Sequence, residues 1–234
     1  MPALEFLKAD YTEVWTASQN VPLVRFADRV RSIPSTGIDS YPPRLDALEH
    51  FDEIVSWYGT NRQEFREALE AFPVTFLEAL PRSSDVHAVD FYMRQVGGAD
   101  GAIPRIDAPR EDKGFIAIHP FSGSARKNWP YFSELAERLS RPVQLCIGPE
   151  QQWPGALLYD DLYKLAQWLA TASLYIGNDS GITHLAAAVG TPVIAIFQAS
   201  DPGVWSPRGH VNVLWEPSVE DVLAAVDQNR LHSG

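Results

Sequence analysis

Residues Tyr175 to Phe197, YIGNDSGITHLAAAVGTPVIAIF, constrain the fold more than any other stretch of the chain. An apolar run from Ser173 to Ile176 ends at Gly177-Asn178-Asp179-Ser180-Gly181, where two glycines and small polar side chains permit a sharp turn and close backbone approach. Ile182 to Val189 then fits a short helix stopped by Gly190 and Pro192, and Val193 to Phe197 reads as a buried strand. A strand, a small polar loop, a helix and a second apolar strand make a βαβ unit. Its loop lies at the carboxyl end of a parallel strand and at a helix N-terminus, where free amides and the helix dipole favour a phosphate.

The phosphate belongs to a small molecule on charge grounds. The chain of 234 residues has a net charge of -11, and binding nucleic acid through its backbone requires basic surface to displace counterions. A hydrophobic content of 45% with 11% aromatic residues excludes a disordered chain and is enough for one or two domains. The one cysteine, Cys146, lies in the apolar run Val143 to Ile147 and reads as a core thiol, consistent with a reducing cytoplasm. No apolar stretch approaches the length of a membrane span, and no basic-then-apolar leader pattern opens the sequence.

The second half alternates strand and helix at α/β spacing. Strands are expected at Phe115 to His119, Val143 to Ile147 and Val211 to Leu214, and helices at Tyr131 to Leu139 and Asp161 to Ala170. Ser218 to Asp221 reads as a helix-starting cap in which Asp replaces the usual Glu or Gln. In the first half, strands are expected at Glu13 to Ala17 and Glu53 to Trp57. Helices are expected around Leu4 to Lys8, at Leu23 to Val30, at Gln63 to Phe72 and at His87 to Val96. The pattern predicts two α/β domains, residues 1–100 and 115–234, joined by a Gly- and Pro-containing linker over 101–114 with a ligand cleft at the boundary.

A second loop follows the Phe115 to His119 strand and carries Phe121-Ser122-Gly123-Ser124-Ala125-Arg126-Lys127-Asn128-Trp129-Pro130. Two hydroxyls, a glycine and two adjacent cations suit a diphosphate, with Lys127 as a mobile point charge; the alternative is a solvated pre-helix loop anchored by Trp129. Asp179 would repel phosphate, so it either caps the helix with Ser180 or accepts sugar hydroxyls beside the diphosphate. His184, near the first helical turn, could meet the diphosphate as a cation or pack against the sheet. Thr183 and Ser180 could donate hydroxyls, or serve as ordinary first-turn residues. Glu150, after the Val143 to Ile147 strand, faces the ligand edge and suits a ribose or open solvent. Asp201 to Pro207 forms a rigid loop over the same edge or a simple connector. The loops contain no dinucleotide fingerprint, Walker loop, nucleophile elbow or zinc motif, and no Asp-x-Asp pair for a nucleotide-bound metal.

The segments IHPFSGSARKNWP, IGNDSGITHLAAAVGTPVIAIF and DPGVWSP together resemble glycosyltransferase family 9, the ADP-heptose:lipopolysaccharide heptosyltransferases and their relatives. The likeness is specific from Phe115 to Arg208 and weaker from Pro2 to Val96. It implies a GT-B architecture of two Rossmann-like doubly wound domains, the N-terminal one on the acceptor side and lacking its usual first strand. It further implies inverting, metal-independent transfer of a heptose-like sugar from a nucleotide-diphospho-sugar to a lipopolysaccharide or other surface saccharide, lipid-linked or free, with no cofactor. Ser122, Ser124 and Lys127 would fall on the family's donor-phosphate loop. Asp179, Ser180, Gly181 and His184 would fall on its D-[ST]-G-x-x-H element, and Lys127 and Asp179 would stabilise the leaving group and sugar. The implied location is the cytoplasm or the inner face of the cytoplasmic membrane.

Family members begin with a strand and a Gly-Asp loop whose Asp is the expected general base, whereas here Met1 is followed at once by Pro2-Ala3-Leu4. The expectation is a truncated member of an enzyme family. The competing expectation is a non-catalytic nucleotide-sugar-binding or interaction protein, inactive for want of that loop. A sugar-nucleotide epimerase on the same architecture would need acid and base groups that the sequence does not place.

Overall fold

A computed structural model describes residues 2–82 and 86–231, the last two of these by backbone alone. Met1, the residue on which the reading of the chain's start turned, lies outside the described residues. The chain divides into two compact units, Ala3–Asp100 and the residues from Gly101 onward.

The N-terminal unit contains α1 (Pro2–Phe6), β1 (Glu13–Thr16), β2 (Arg29–Ser32), α2 (Ile33–Thr36), β3 (Ile54–Ser56), α3 (Gln63–Ala68), β4 (Val74–Phe76) and α4 (Ala88–Gln95). Its strands form two separate parallel pairs, β1 with β2 and β3 with β4. They share one core: Ile38, Leu48, Phe65 and Leu69 are buried there, with Trp15 of β1 and Ile54 of β3 packed against them.

The helix expected at Leu23 to Val30 is absent. Ser18–Leu23 forms a 3-10 turn containing Pro22, without a side-chain cap. The Asp28 carboxylate accepts the Thr12 amide at 2.8 Å and the Asp28 amide bonds the Thr12 carbonyl, so the chain is drawn alongside β1 as a strand. Pairing with a neighbour outweighed local helical periodicity.

In the C-terminal unit, β5 (Ile116–His119), α5 (Phe132–Arg138), β6 (Val143–Ile147), β7 (Leu157–Leu158), α6 (Leu162–Leu169), β8 (Leu174–Asn178), α7 (Gly181–Ala188), β9 (Val193–Phe197), α8 (Pro202–Trp205), β10 (Val211–Trp215) and α9 (Val219–Leu231) follow one another. The six strands form one sheet in the order β10-β9-β8-β5-β6-β7, parallel at every pairing. Renumbered from β5 this is the 3-2-1-4-5-6 order of a dinucleotide-binding domain, with its switch point between β5 and β8.

Both sheet faces are covered, which is why β5, β8 and β9 read as unbroken apolar runs rather than alternating ones. One face, including Ile118, Ile176 and Ile196, packs on Phe132 and Leu135 of α5 and Val222 and Val226 of α9. On the other, Tyr175 meets Thr183 of α7. Each fully buried isoleucine contributes about 1.5–3 kcal/mol, so the strand ends that carry the loops rest on the most firmly packed part of the chain. The Ser218–Asp221 cap forms as expected. The Asp221 carboxylate accepts the Ser218 amide at 2.9 Å and the Ser218 hydroxyl accepts the Asp221 amide at 3.2 Å.

The stretch over 101–114, expected as a linker, groups with the C-terminal unit. Its Ile106 amide bonds Ala188, its Lys113 amide bonds Thr171, and the Arg110 guanidinium reaches the Gly190 carbonyl.

Candidate functional site

The crevice at the switch point of a doubly wound sheet is bounded by the loops leaving the carboxyl ends of the two central strands. Here they are the Pro120 to Trp129 loop after β5 and the Asp179-Ser180 turn after β8. The β9 loop, from Gln198 to Asp201, lies on the same sheet edge. Three side chains from these loops converge: Lys127 Nζ donates to Asp179 Oδ2 at 2.6 Å, and the Ser200 hydroxyl donates to the same oxygen. Asp179 is buried while the Lys127 side chain remains 35% exposed, so the ammonium forms the open side of the cluster.

Of the two roles open to Asp179, capping falls to its neighbour. Ser180 is the N-cap of α7, its side chain accepting from the Thr183 amide. The Asp179 carboxylate instead neutralises Lys127, which answers the objection that a carboxylate beside a phosphate site would repel the ligand. Gly181 is exposed at the first position of α7, and a side chain built there would meet nothing within 4 Å, so the helix N-terminus is open to close approach. His184 is half-buried in the first turn of the same helix.

The other candidate residues take up varied positions. The Ser122 hydroxyl lies 2.7 Å from both the Ser124 carbonyl and Asn128 Oδ1, so it shapes its own loop. Ser124 is exposed at the head of the short turn Ala125–Lys127. Thr183, a candidate hydroxyl donor to the ligand, is fully buried, and its hydroxyl donates to the Asn178 carbonyl while lying beside Tyr175 and Ser180. It locks the turn between β8 and α7 and is withdrawn from the surface. Glu150 is exposed in the turn after β6. Gly177 belongs to β8 rather than to the loop, and its need is close packing: a side chain there would meet the Tyr175 hydroxyl at 2.3 Å.

Ser200, Asn178 and His119, which the sequence does not single out, also lie at these strand ends. Nothing in Gln198-Ala199-Ser200 marks a serine aimed at a carboxylate across the sheet edge. His119 ends β5, buried, with Nδ1 2.9 Å from the Cys146 carbonyl. A carbonyl can only accept, so Nδ1 carries the proton, and burial holds the imidazole pKa below its ordinary value. Asp201 caps α8 by accepting the Gly203 amide at 2.8 Å, so the proline-rich connector is a capped helical turn with Val204 buried.

The chain is similar in sequence and in fold to known glycosyltransferases. The sequence model of glycosyltransferase family 9 (heptosyltransferase) matches residues 160–226, which include β8, α7 and the β9 loop. Lipopolysaccharide heptosyltransferase 3 of Escherichia coli is 30% identical over 86 residues, a match that takes in 37% of this chain and 23% of that protein. A family 9 glycosyl transferase from Veillonella parvula superposes over 95% of this chain and 89% of its own, at 18% identity and a TM-score of 0.74. The E. coli ADP-heptose lipopolysaccharide heptosyltransferase II superposes over 99% and 93%, at 14% identity and a TM-score of 0.75. The fold is therefore the GT-B fold of those enzymes. Residues 160–226 thus match the sequence model of glycosyltransferase family 9, on a fold similar to that of the solved enzymes.

Proposed function

We propose that this chain is a glycosyltransferase that binds a nucleotide-diphospho-sugar, ADP-heptose-like, across the carboxyl ends of β5 and β8. In this reading it passes the sugar to a lipopolysaccharide or another surface saccharide, in the cytoplasm or at the inner face of the cytoplasmic membrane. The observation that carries the reading is the Lys127–Asp179–Ser200 cluster at the switch point, beside the open N-terminus of α7. Its chemistry matches a diphosphate joined to a sugar: Lys127 and the α7 amides for the anion, Asp179 for the hydroxyl-rich part. Helix amides hold charge in fixed directions, and an ammonium has three N–H donors, of which Asp179 uses one.

The reaction is a displacement at the anomeric carbon with inversion. The acceptor hydroxyl oxygen forms the new bond and releases its proton to solvent water, while the bond to the donor phosphate breaks and its electron pair stays on the phosphate oxygen. Charge therefore grows on the leaving diphosphate, and groups that are already oriented toward it stabilise the transition state more than the ground state. Lys127 and the first turn of α7 supply that charge compensation in this metal-independent scheme. The donor named for the superposed E. coli enzyme, ADP-heptose, supports the choice of nucleotide sugar.

The test is release of nucleoside diphosphate from candidate nucleotide sugars in the presence of saccharide acceptors. Release that depends on both substrates is expected. Tight donor binding without any turnover over a broad acceptor panel would sink the transferase reading.

A further inference from the structure

We propose that Asn178 is a positioning residue of the donor site, whose side-chain amide fastens both ends of the loop that presents Lys127; this rests on the donor reading above. Asn178 is the last residue of β8 and is fully buried. Its Oδ1 accepts the Trp129 amide at 2.8 Å, and its Nδ2 donates to the Pro120 carbonyl at 2.9 Å. Pro120 and Trp129 are the two ends of the loop from Phe121 to Asn128. The amide orientation follows from the partners, since a backbone N–H can only donate and a carbonyl can only accept.

One side chain thus bonds both ends of the loop. The loop leaves β5, turns through Ala125–Lys127 and returns to α5 without pairing with another strand. Both ends bond the side chain of one residue of the neighbouring strand, with the Trp129 indole also donating to the Pro217 carbonyl at 2.8 Å, and that residue immediately precedes Asp179, the partner of Lys127. The Asn178 backbone carbonyl also accepts the Thr183 hydroxyl, which ties the first turn of α7 to the same point. Asn178 therefore sets the spacing between the cation of one loop and the helix N-terminus of the other. Serine is too short to span both partners, and aspartate of equal shape lacks the donor and would set a carboxylate against the Pro120 carbonyl.

The test uses the full chain with ADP as the probe. Asn178→Asp should weaken ADP binding by about tenfold in calorimetry, the scale of one lost hydrogen bond to a buried group. The double variant Asn178→Asp/Lys127→Ala should bind within about twofold of Lys127→Ala alone, because coupled residues are not additive. Independent, fully additive losses would overturn the proposal.

Hydrogen exchange gives a second readout that needs no ligand. The Trp129 amide should be protected in the unaltered protein and should lose protection in Asn178→Ser while the Ile176 amide in β8 keeps it. A Trp129 amide that exchanges freely in the unaltered protein overturns the proposal even if both variants fail to fold. Failure of the unaltered protein to bind ADP or any other nucleoside diphosphate would count against the donor reading, and the exchange result would still decide the role of Asn178.

Discussion

Lys127 and Asp179, 52 positions apart in the chain, form an ion pair with Nζ 2.6 Å from Oδ2, and the Ser200 hydroxyl donates to the same carboxylate oxygen. The pair is nearly neutral as a unit. The carboxylate holds the partly exposed ammonium in one place, and in the proposed donor site that place is where the diphosphate would meet it.

Lys127→Ala removes the one cation of this cluster. Hydrogen bonds to charged groups contribute about 1.5–3 kcal/mol, so ADP affinity should fall roughly tenfold to a hundredfold. Calorimetry checks this, and unchanged affinity would remove Lys127 from the donor site.

Asp179→Asn separates two roles of the carboxylate. The variant makes the site more positive, so ADP without a sugar should bind as well as before or more tightly. If Asp179 orients Lys127 and accepts sugar hydroxyls as proposed, turnover of the nucleotide sugar should nonetheless fall about tenfold or more. Parallel measurement of ADP binding and steady-state turnover decides; a drop in ADP affinity with normal turnover contradicts the assignment.

His119 makes stability depend on acidity. Burial lowers its pKa in the folded chain, whereas an unfolded histidine titrates near pH 6.5. Below about pH 6.5 the unfolded chain takes up a proton that the folded chain resists, so stability is present above that pH and is lost as the pH falls. One such group accounts for at most about 1.4 kcal/mol per pH unit. Urea midpoints at pH 7.5 and 5.5 should differ less in His119→Asn than in the unaltered protein, and equal differences would show that His119 does not contribute.

Cys146 should be chemically silent in the folded protein. Burial pushes its thiol pKa up to about 12, and the thiolate is the reactive form. Iodoacetamide at pH 8 should label it only in denaturant; labelling at the same rate under native conditions would mean that the β6 strand opens readily.

Trp57 offers a stabilising change. Among the described residues its indole Nε1 is a buried donor without a partner, and such a group costs about 1–3 kcal/mol. Trp57→Phe removes the donor at the expense of some packing, so denaturant midpoints should stay level or rise. A loss above about 2 kcal/mol would show that packing of the indole outweighs its unsatisfied donor.

Most of the C-terminal unit was legible in the sequence because its central strands are apolar and sharply bounded, whereas the two-residue, exposed β7 left no signal. Val193–Phe197 is buried at every position, and Asp161 and Ser218 announce the helices they cap. The N-terminal unit was less legible because its strands have three or four residues. A three-residue strand such as Val74–Phe76 is too short to show a period, and Arg29–Ser32 became a strand only because β1 lay beside it.

For the site, sequence alone singled out two loops, each running from an apolar strand into a helix. It also identified Lys127, Asp179, Ser180 and Gly181 as candidates. Tertiary structure decided how they divide the work. Thr183 turned inward to lock a turn, Ser122 bonded within its own loop, and Asp179 took Lys127 and Ser200 as partners while Ser180 became the cap. Asn178 and Ser200 could be recognised only in three dimensions. A hydrogen bond depends on distance and direction, and residues separated along the chain acquire both only when the parallel sheet sets its strand ends side by side.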